Sequence, residues 1–440
     1  MLDKLFKTIE IITPKKWRWA LSHDGFRRYF ANTGWMLFGQ MFSLLVSFFI
    51  GAWLARYLGP GNYGVLNYSL AFAGLFAFIA NLGVDSIINR EIIRFPEKEN
   101  NLLGTAFVLK LIGGISAFSL LCIAAFIFEN DPLIRLLIIL FSLSFIFQSI
   151  GVISNFFQSK VQARNNIKAQ LFAMAISSIL KIVLIMMHLW IIWLMLIYVL
   201  DNVWIGLGYV IAYKRAGLKI FDWKFDKKLA ATILKDSWPL MLSGAATFIY
   251  MKIDQVMIGR ALNNESVGLY SVAIKLSEIW YFVPGIICTS LFPAIINARK
   301  VNLIKYHQRL KKLYFLMISL AFIVAVGTSI FARPLIIFLF GPAYLLSIPI
   351  LKIYIWSGIG IFISAAVSQY LIAENMVKTI FVFSVLGMVA NVVLNLILIP
   401  KIGLYGAAIA SLISYTATPF SILLFDKLLR SRKHPVYVND

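Results

Sequence analysis

The sequence from Ser237 to Glu278 reads SWPLMLSGAATFIYMKIDQVMIGRALNNESVGLYSVAIKLSE, two apolar spans joined by a short polar turn. Both spans are long and apolar enough for a helix to cross a bilayer. They nevertheless contain Lys252, Asp254, Lys275 and Glu278. A charge at that depth costs about 2.5 to 3.5 kcal/mol on the insertion scale, so such side chains normally face a protein interior or a water-filled cavity. The stretch therefore predicts a membrane protein with polar groups inside it.

The composition of the whole chain supports this class. Of its 440 residues, 60% are hydrophobic and 14% are charged, against about 25% charged in soluble domains. The two cysteines, Cys122 and Cys288, lie in apolar spans without CxxC spacing, which indicates structural cysteines rather than a disulfide framework or a metal site. We expect an all-α polytopic membrane protein.

Apolar spans of suitable length recur along the chain, and we predict twelve transmembrane helices. They lie at approximately 31–56, 65–88, 105–128, 133–155, 169–188, 190–213, 237–260, 268–297, 313–332, 346–373, 377–399 and 404–425. This pattern divides the chain into a cytoplasmic basic amphipathic segment 1–30, a six-helix bundle 31–213, a cytoplasmic basic amphipathic linker 214–236, a second six-helix bundle 237–425 and a cytoplasmic tail 426–440.

The distribution of basic residues sets the predicted orientation. With the N-terminus inside, 31 of the 41 lysines and arginines fall in cytoplasmic segments, five in outer turns and five within spans. This asymmetry is what the positive-inside rule predicts, so both termini are expected in the cytoplasm. Most of the net charge of +22 is then explained by topology, with anionic membrane lipids as a partner, and no nucleic acid is implied.

The two sets of six spans resemble an internal repeat. Arg56 and Gly64 enclose YLGPGNY at the outer end of the first span, and Arg260 and Gly268 enclose ALNNESV at the outer end of the seventh. The segments YSLA and YSVA follow shortly after. Because six is an even number, the two bundles enter the membrane from the same side and are expected to be related by a pseudo-twofold axis along the membrane normal.

Basic residues within the spans are the candidate substrate ligands. A cleft between two such bundles usually holds the substrate near the midplane of the membrane. Lys181 and Lys252 are central, whereas Lys275 and Lys352 are nearer the outer ends of their helices. Lys110 either reaches the membrane surface or faces the cavity. Arg56 and Arg260 are available near the outer mouth, and the excess of positive charge favours an anionic substrate.

The acidic residues near or within the spans leave two interpretations open. Asp201, Asp254, Glu278 and the more inward Asp85 either couple transport to a proton or sodium gradient or pair statically with the lysines. Lys275 and Glu278 are three positions apart, hence on one helix face where they can pair.

Several motifs, taken in order, resemble those of bacterial polysaccharide (O-antigen) flippases. They are GAWLARYLGPGNYGVLNYSLAF at 51–72, LGVDSIINRE at 82–91, DSWPLMLSG at 236–244, KIDQVMIGR at 252–260, VGLYSVAIKLSE at 267–278, TSLFPAI at 289–295 and PKIGLYGAAIAS at 400–411. These flippases belong to the multidrug/oligosaccharidyl-lipid/polysaccharide exporter superfamily.

The resemblance implies a V-shaped pair of six-helix bundles with a cationic central cavity, in the bacterial cytoplasmic (inner) membrane. It further implies movement of a polyprenyl-diphosphate-linked oligosaccharide from the inner to the outer leaflet by alternating access. The polysaccharide polymerase and chain-length machinery would be partners of such a protein.

The sequence contains no signature of an enzyme. P-loop, HExxH, GxSxG and DxD motifs are absent, and the four histidines form no metal cluster. We therefore predict no catalytic residues, no cofactor and no metal. Two alternatives remain: a cation-coupled multidrug exporter, which should have an acidic cavity, and a membrane glycan polymerase or ligase, which should have large outer loops with catalytic Arg or His.

Overall fold

The computed structural model describes residues 24–374 and 376–433, and every regular element in these residues is a helix. This confirms the predicted all-α class. Residues 1–23 of the predicted basic segment 1–30 lie outside the described residues. Residues 434–440 of the predicted tail 426–440 also lie outside them.

Residues 24–215 of the described chain contain nine α-helices. They are α1 (Asp24–Gly74), α2 (Ala77–Asn81), α3 (Val84–Arg94), α4 (Glu99–Phe128), α5 (Pro132–Ser142), α6 (Ser144–Phe147), α7 (Val152–Ser159), α8 (Ala163–Met186) and α9 (Ile191–Arg215).

Nine more α-helices follow residue 226 in the described chain, and the first of them begins inside the predicted linker 214–236. They are α10 (Lys227–Ala261), α11 (Asn264–Glu278), α12 (Phe282–Val301), α13 (Leu303–Ile330), α14 (Ala332–Phe340), α15 (Ser347–Tyr354), α16 (Ser357–Ala373), α17 (Val377–Ile402) and α18 (Leu404–Lys433). Short 3-10 helices cover Pro96–Lys98, Gln148–Gly151, Ile220–Asp222 and Pro342–Tyr344.

Helix α1 is bent at Gly59, within the segment that the sequence predicts as the first outer turn. Gly59 has a φ of 69° and a ψ of 170°, a conformation that glycine adopts without a steric penalty. The next residue is Pro60, which has no N–H for a helical hydrogen bond. The bend therefore separates the first predicted span from the second.

The second predicted span, 65–88, is not one continuous helix. It breaks at Leu82 and Gly83, whose φ values are 51° and 65°. A β-carbon on Gly83 would lie 2.7 Å from the carbonyl oxygen of Ser237. The break thus lets the backbone of α10 approach this half of the chain closely.

Ten helices of the described chain are long and apolar enough to cross a membrane. One of them, Thr33–Gly74, has 42 residues and includes the bend at Gly59. The ten do not include α10, where Lys252, Asp254 and Arg260 lower the mean hydropathy. The count of twelve spans, their division into two six-helix bundles and the side on which the termini lie stay predictions.

We name the two ends of the molecule by the segments that lie there. The turn end holds Gly59 and the loop at 262–263, and the linker end holds the segment 216–226 between α9 and α10. At the linker end, the indole of Trp223 packs against Phe107 with ring centroids 5.7 Å apart. Arg90 and Asp236 form an ion pair of 2.8 Å between α3 and α10 at the same end.

Candidate functional site

A cavity of about 640 Å³ lies between α1, α8, α9 and α11. Its lining includes four of the residues predicted from the sequence: Lys181, Asp201, Lys275 and Glu278. Helix α1 contributes no charge but presents Ser43, Ser47 and Gly51. The structure thus brings residues from both sides of the linker to one polar space, which we call the charged chamber.

Two of the three lysines at this site are paired with carboxylates. Lys181 lies 3.1 Å from Asp201, and its ammonium group is 4.3 Å from the centroid of the Tyr198 ring. Lys252, on α10, donates to both carboxylate oxygens of Glu278 at 3.1 Å. All four side chains of these pairs are a quarter exposed or less. In each pair, the positive charge of the lysine is balanced by the negative charge of its carboxylate partner.

Lys275 is the third lysine, and it has no ion pair or hydrogen bond within the described part of the chain. Its half-buried side chain points across the chamber to α1. A β-carbon on Gly51 would overlap its ammonium nitrogen, so the glycine provides the room that this group occupies. A half-buried ammonium group without a partner is less well solvated than one in water, so it favours a bound water or anion.

The pairing of Glu278 differs from the one that helix spacing allows. Lys275 and Glu278 are three positions apart on α11, yet Glu278 binds Lys252 of the neighbouring helix. The chamber lining has two lysines and two carboxylates, but Lys252, from outside the lining, takes the Glu278 carboxylate, so Lys275 is left without a carboxylate partner. An excess of positive charge in the cavity stays a prediction.

Asp254 is fully buried and lies outside the chamber lining. Its carboxylate accepts hydrogen bonds from the backbone N–H of Gln255 at 2.8 Å and from the hydroxyls of Tyr270 at 2.5 Å and Ser411 at 3.3 Å. The described structure gives it no ion pair with a lysine or arginine. Buried amides continue this polar cluster, since Asn391 donates to the hydroxyl of Ser414 at 3.0 Å.

Arg56 and Arg260 lie at the turn end, where each reaches across to the other half of the chain. Arg56 donates to the carbonyl of Ile337 at 3.2 Å. Arg260 donates to the carbonyl of Phe128 at 2.9 Å and to the carboxylate of Glu129 at 3.0 Å. The repeat predicted from the sequence would make these two arginines equivalent.

The remaining candidates lie away from the charged chamber. Asp85 accepts hydrogen bonds from Lys110 and from Asn155, both at 2.7 Å. Lys110 is thus buried in an ion pair and does not line the chamber. Lys352 is an exposed residue on α15 and is not part of the chamber lining.

The sequence analysis did not identify the polar residues of α1. Ser43, Ser47 and Gly51 are four positions apart, which places them on one face of the helix. Small residues repeated at this spacing in an apolar span were the sequence feature that could have indicated this wall of the cavity. It does not by itself distinguish a cavity wall from a packing face, since small residues are common where membrane helices pack.

Comparison with a protein-family model gives a match over residues 29–299, more than half of the chain, to the family described as polysaccharide biosynthesis protein. The match confirms the resemblance that the motifs indicate. It extends from residue 29, within α1, to residue 299, within α12, and therefore includes every residue of the charged chamber.

Two curated relatives are similar over part of the chain. A probable flippase, AglR, of Haloferax volcanii is 26% identical over 182 residues, which are 38% of this chain and 36% of the relative. The Lsg locus putative protein 1 of Haemophilus influenzae is 25% identical over 255 residues, 55% of this chain and 60% of the relative. The alignments thus span less than two thirds of either relative.

Solved structures share the fold over most of the chain. An inward-facing multidrug resistance MATE family transporter of the MOP superfamily has a TM-score of 0.75 at 17% identity, covering 90% of this chain and 96% of the other. The lipid II flippase MurJ, in an inward closed conformation, has a TM-score of 0.70 at 16% identity, covering 89% and 87%. The chain is therefore a multi-pass membrane protein with the fold of these transporters.

Proposed function

The chain belongs to the polysaccharide biosynthesis protein family, and on that basis we propose that it moves a polyprenyl-diphosphate-linked oligosaccharide from the inner to the outer leaflet of the cytoplasmic membrane. The observation that carries the proposal is Lys275, the ammonium group without a carboxylate partner in the charged chamber. The diphosphate is the charged part of such a substrate, and it cannot cross the lipid without a group of opposite charge. Lys275 offers it a charge-assisted hydrogen bond.

The paired lysines have a supporting role in this proposal. Lys181 and Lys252 lie beside the path of the diphosphate, and each exchanges its carboxylate, Asp201 or Glu278, for a phosphate oxygen as the substrate passes. A lysine suits this role because its ammonium group is a mobile point charge on a flexible stem. Arg56 and Arg260 lie farther along, at the turn end, where the substrate leaves.

We further propose the twelve-helix architecture predicted from the sequence, with bundles 31–213 and 237–425, the linker 214–236 inside and both termini cytoplasmic. The turn end is then the outer side. It is closed by the contact of Gly64 with Gly268 and by the two arginine contacts. The conformation described is accordingly the one that receives substrate from the cytoplasm, and alternating access requires these contacts to open.

Transport needs a driving force, for which we propose a proton or sodium gradient acting through Asp254. This carboxylate is buried without a basic partner, so a proton or a bound cation stabilises it. The hydroxyls of Tyr270 and Ser411 orient it. Asp201, Glu278 and Asp85 are each paired with a lysine and are secondary candidates.

The proposed reaction breaks no covalent bond, and so it requires neither catalytic residues nor a cofactor. Its product, a lipid-linked glycan in the outer leaflet, is the substrate of a polymerising enzyme. The polysaccharide polymerase and chain-length machinery are therefore the protein partners that we propose.

Translocation in proteoliposomes tests this function. A labelled polyprenyl-diphosphate oligosaccharide is placed in vesicles, and a membrane-impermeant oxidant of sugar diols reports which leaflet holds it. We expect the protein to accelerate exchange between leaflets. If the protein did not exchange the lipid between leaflets but the same vesicles took up a cationic drug, the result would favour the multidrug exporter over the flippase. In the present structure both chamber carboxylates are paired with lysines, which disfavours a cationic substrate.

A further inference from the structure

A second cavity, of about 510 Å³, adjoins the charged chamber on its linker side. The two share Ser43, Leu44, Ser47 and Gln170, so they form one continuous space. Their linings differ in charge. The charged chamber is lined by two lysines and two carboxylates, whereas none of the described residues lining the second cavity is Lys, Arg, Asp or Glu. We call the second cavity the neutral chamber.

The α1 wall of the neutral chamber is a stripe of uncharged polar residues. Gln40, Ser43 and Ser47 lie on one face of an apolar stretch of α1. Within the described part of the chain none of their side chains has a hydrogen-bond partner. Ser69, another serine of α1, does have one, since its hydroxyl donates to the carbonyl of Val65 at 2.8 Å. The groups on α1 are therefore left available to an occupant of the chamber.

The opposite wall consists of amide side chains that are already oriented. Asn166 donates to the carbonyl of Ser154 at 3.0 Å, and Gln170 donates to the hydroxyl of Tyr209 at 3.4 Å. Gln158 accepts a hydrogen bond from Asn89 at 2.6 Å. Each amide has both donors and acceptors, so one such bond fixes its direction and leaves other groups unused.

We propose that the neutral chamber binds uncharged sugars of the lipid-linked glycan while the diphosphate lies at Lys275. The inference rests on the flippase function proposed above and adds the position and charge of the glycan. Sugar hydroxyls both donate and accept hydrogen bonds, and amides and serine hydroxyls match them in both respects. An acidic sugar would find no basic partner in this lining.

The position of the chamber fits the direction of transport. From Gln40 to Gly51, beside Lys275, helix α1 rises about 16 Å, because an α-helix rises about 1.5 Å per residue. The glycan therefore trails the diphosphate on the linker side, from which it enters.

The test compares two lipids in the proteoliposome assay: a polyprenyl diphosphate carrying one sugar and one carrying an uncharged oligosaccharide. The variant is Gln40→Ala with Asn166→Ala, because both residues line the neutral chamber and neither lines the charged chamber. Asn165→Ala is the matched control, because Asn165 lies on the same helix as Asn166 and lines neither chamber. Monodisperse protein in detergent with unchanged thermal stability establishes folding.

We expect the double variant to move the oligosaccharide lipid about tenfold or more slowly, as for the loss of one or two hydrogen bonds, and the single-sugar lipid within about twofold of wild type. Equal slowing of both lipids, or slowing of neither, overturns the glycan site. Wild-type protein that moves neither lipid would instead contradict the flippase function itself, so the two failures are distinguishable.

Discussion

A β-carbon on Gly64 would lie 2.9 Å from the backbone nitrogen of Gly268, and one on Gly268 would lie 3.1 Å from the backbone nitrogen of Gly64. The two glycines hold the same place in the internal repeat, eight positions after Arg56 and Arg260. The two halves of the chain therefore meet at equivalent residues. Glycine is required on both sides, because each β-carbon would also overlap a backbone carbonyl oxygen, that of Asn264 or Pro60.

Alanine at either glycine should destabilise the closed turn end. We expect Gly64→Ala or Gly268→Ala to cost about 1 to 3 kcal/mol, as overpacking does, and to slow transport by holding the halves apart. Thermal unfolding in detergent and the proteoliposome assay measure this. Gly61→Ala is the control, since no atom lies within 4 Å of a β-carbon there. Equal effects of Gly61→Ala and Gly64→Ala would contradict the account.

The contact between Arg260 and Glu129 should stabilise the closed conformation of the turn end. Both Arg260 and Tyr68 donate to the Glu129 carboxylate. We expect Arg260→Ala and Glu129→Ala to be non-additive by about 0.5 to 3 kcal/mol in a double-mutant cycle on thermal stability. Additive effects would mean that the two residues act independently, which would contradict the proposed structural contact.

Asp254→Asn should remove the dependence of transport on an ion gradient, because the amide cannot take up a proton and binds a cation weakly. Initial rates with and without imposed proton or sodium gradients provide the measurement. Asp222→Asn is the control, since Asp222 lies exposed in the linker segment. Should Asp254→Asn respond to the gradients as wild type does, Asp254 would be a structural residue.

The loop at 262–263 should be extracytoplasmic and the segment at 216–219 cytoplasmic. This follows from the placement of 31 of 41 basic residues on one side. Single cysteines in the two segments, in a background without Cys122 and Cys288, can be labelled in intact cells with a membrane-impermeant maleimide. Labelling of the 216–219 segment but not of the loop would invert the orientation and, with it, the direction of transport.

The sequence permits prediction of features that depend on local composition. The all-helical class, the bend near Gly59 and the membrane setting follow from apolar runs and from glycine and proline chemistry. Ion pairs between side chains of different helices cannot be predicted from local composition. Spacing allows Glu278 to pair with Lys275, yet it binds Lys252, because the Lys275 side chain occupies the space left by Gly51. Only packing of α1 against α11 decides which lysine stays unpaired.

The central claim is that Lys275 binds the diphosphate, and a binding measurement tests it most directly. Affinity for a polyprenyl-diphosphate oligosaccharide is compared between wild type, Lys275→Ala and Lys401→Ala, the last being an exposed lysine at the end of α17. Loss of a charged hydrogen bond costs about 1.5 to 3 kcal/mol, which is about 10- to 100-fold in affinity. We predict that loss for Lys275→Ala and a change within about twofold for Lys401→Ala. Wild-type affinity in folded Lys275→Ala protein would contradict the claim.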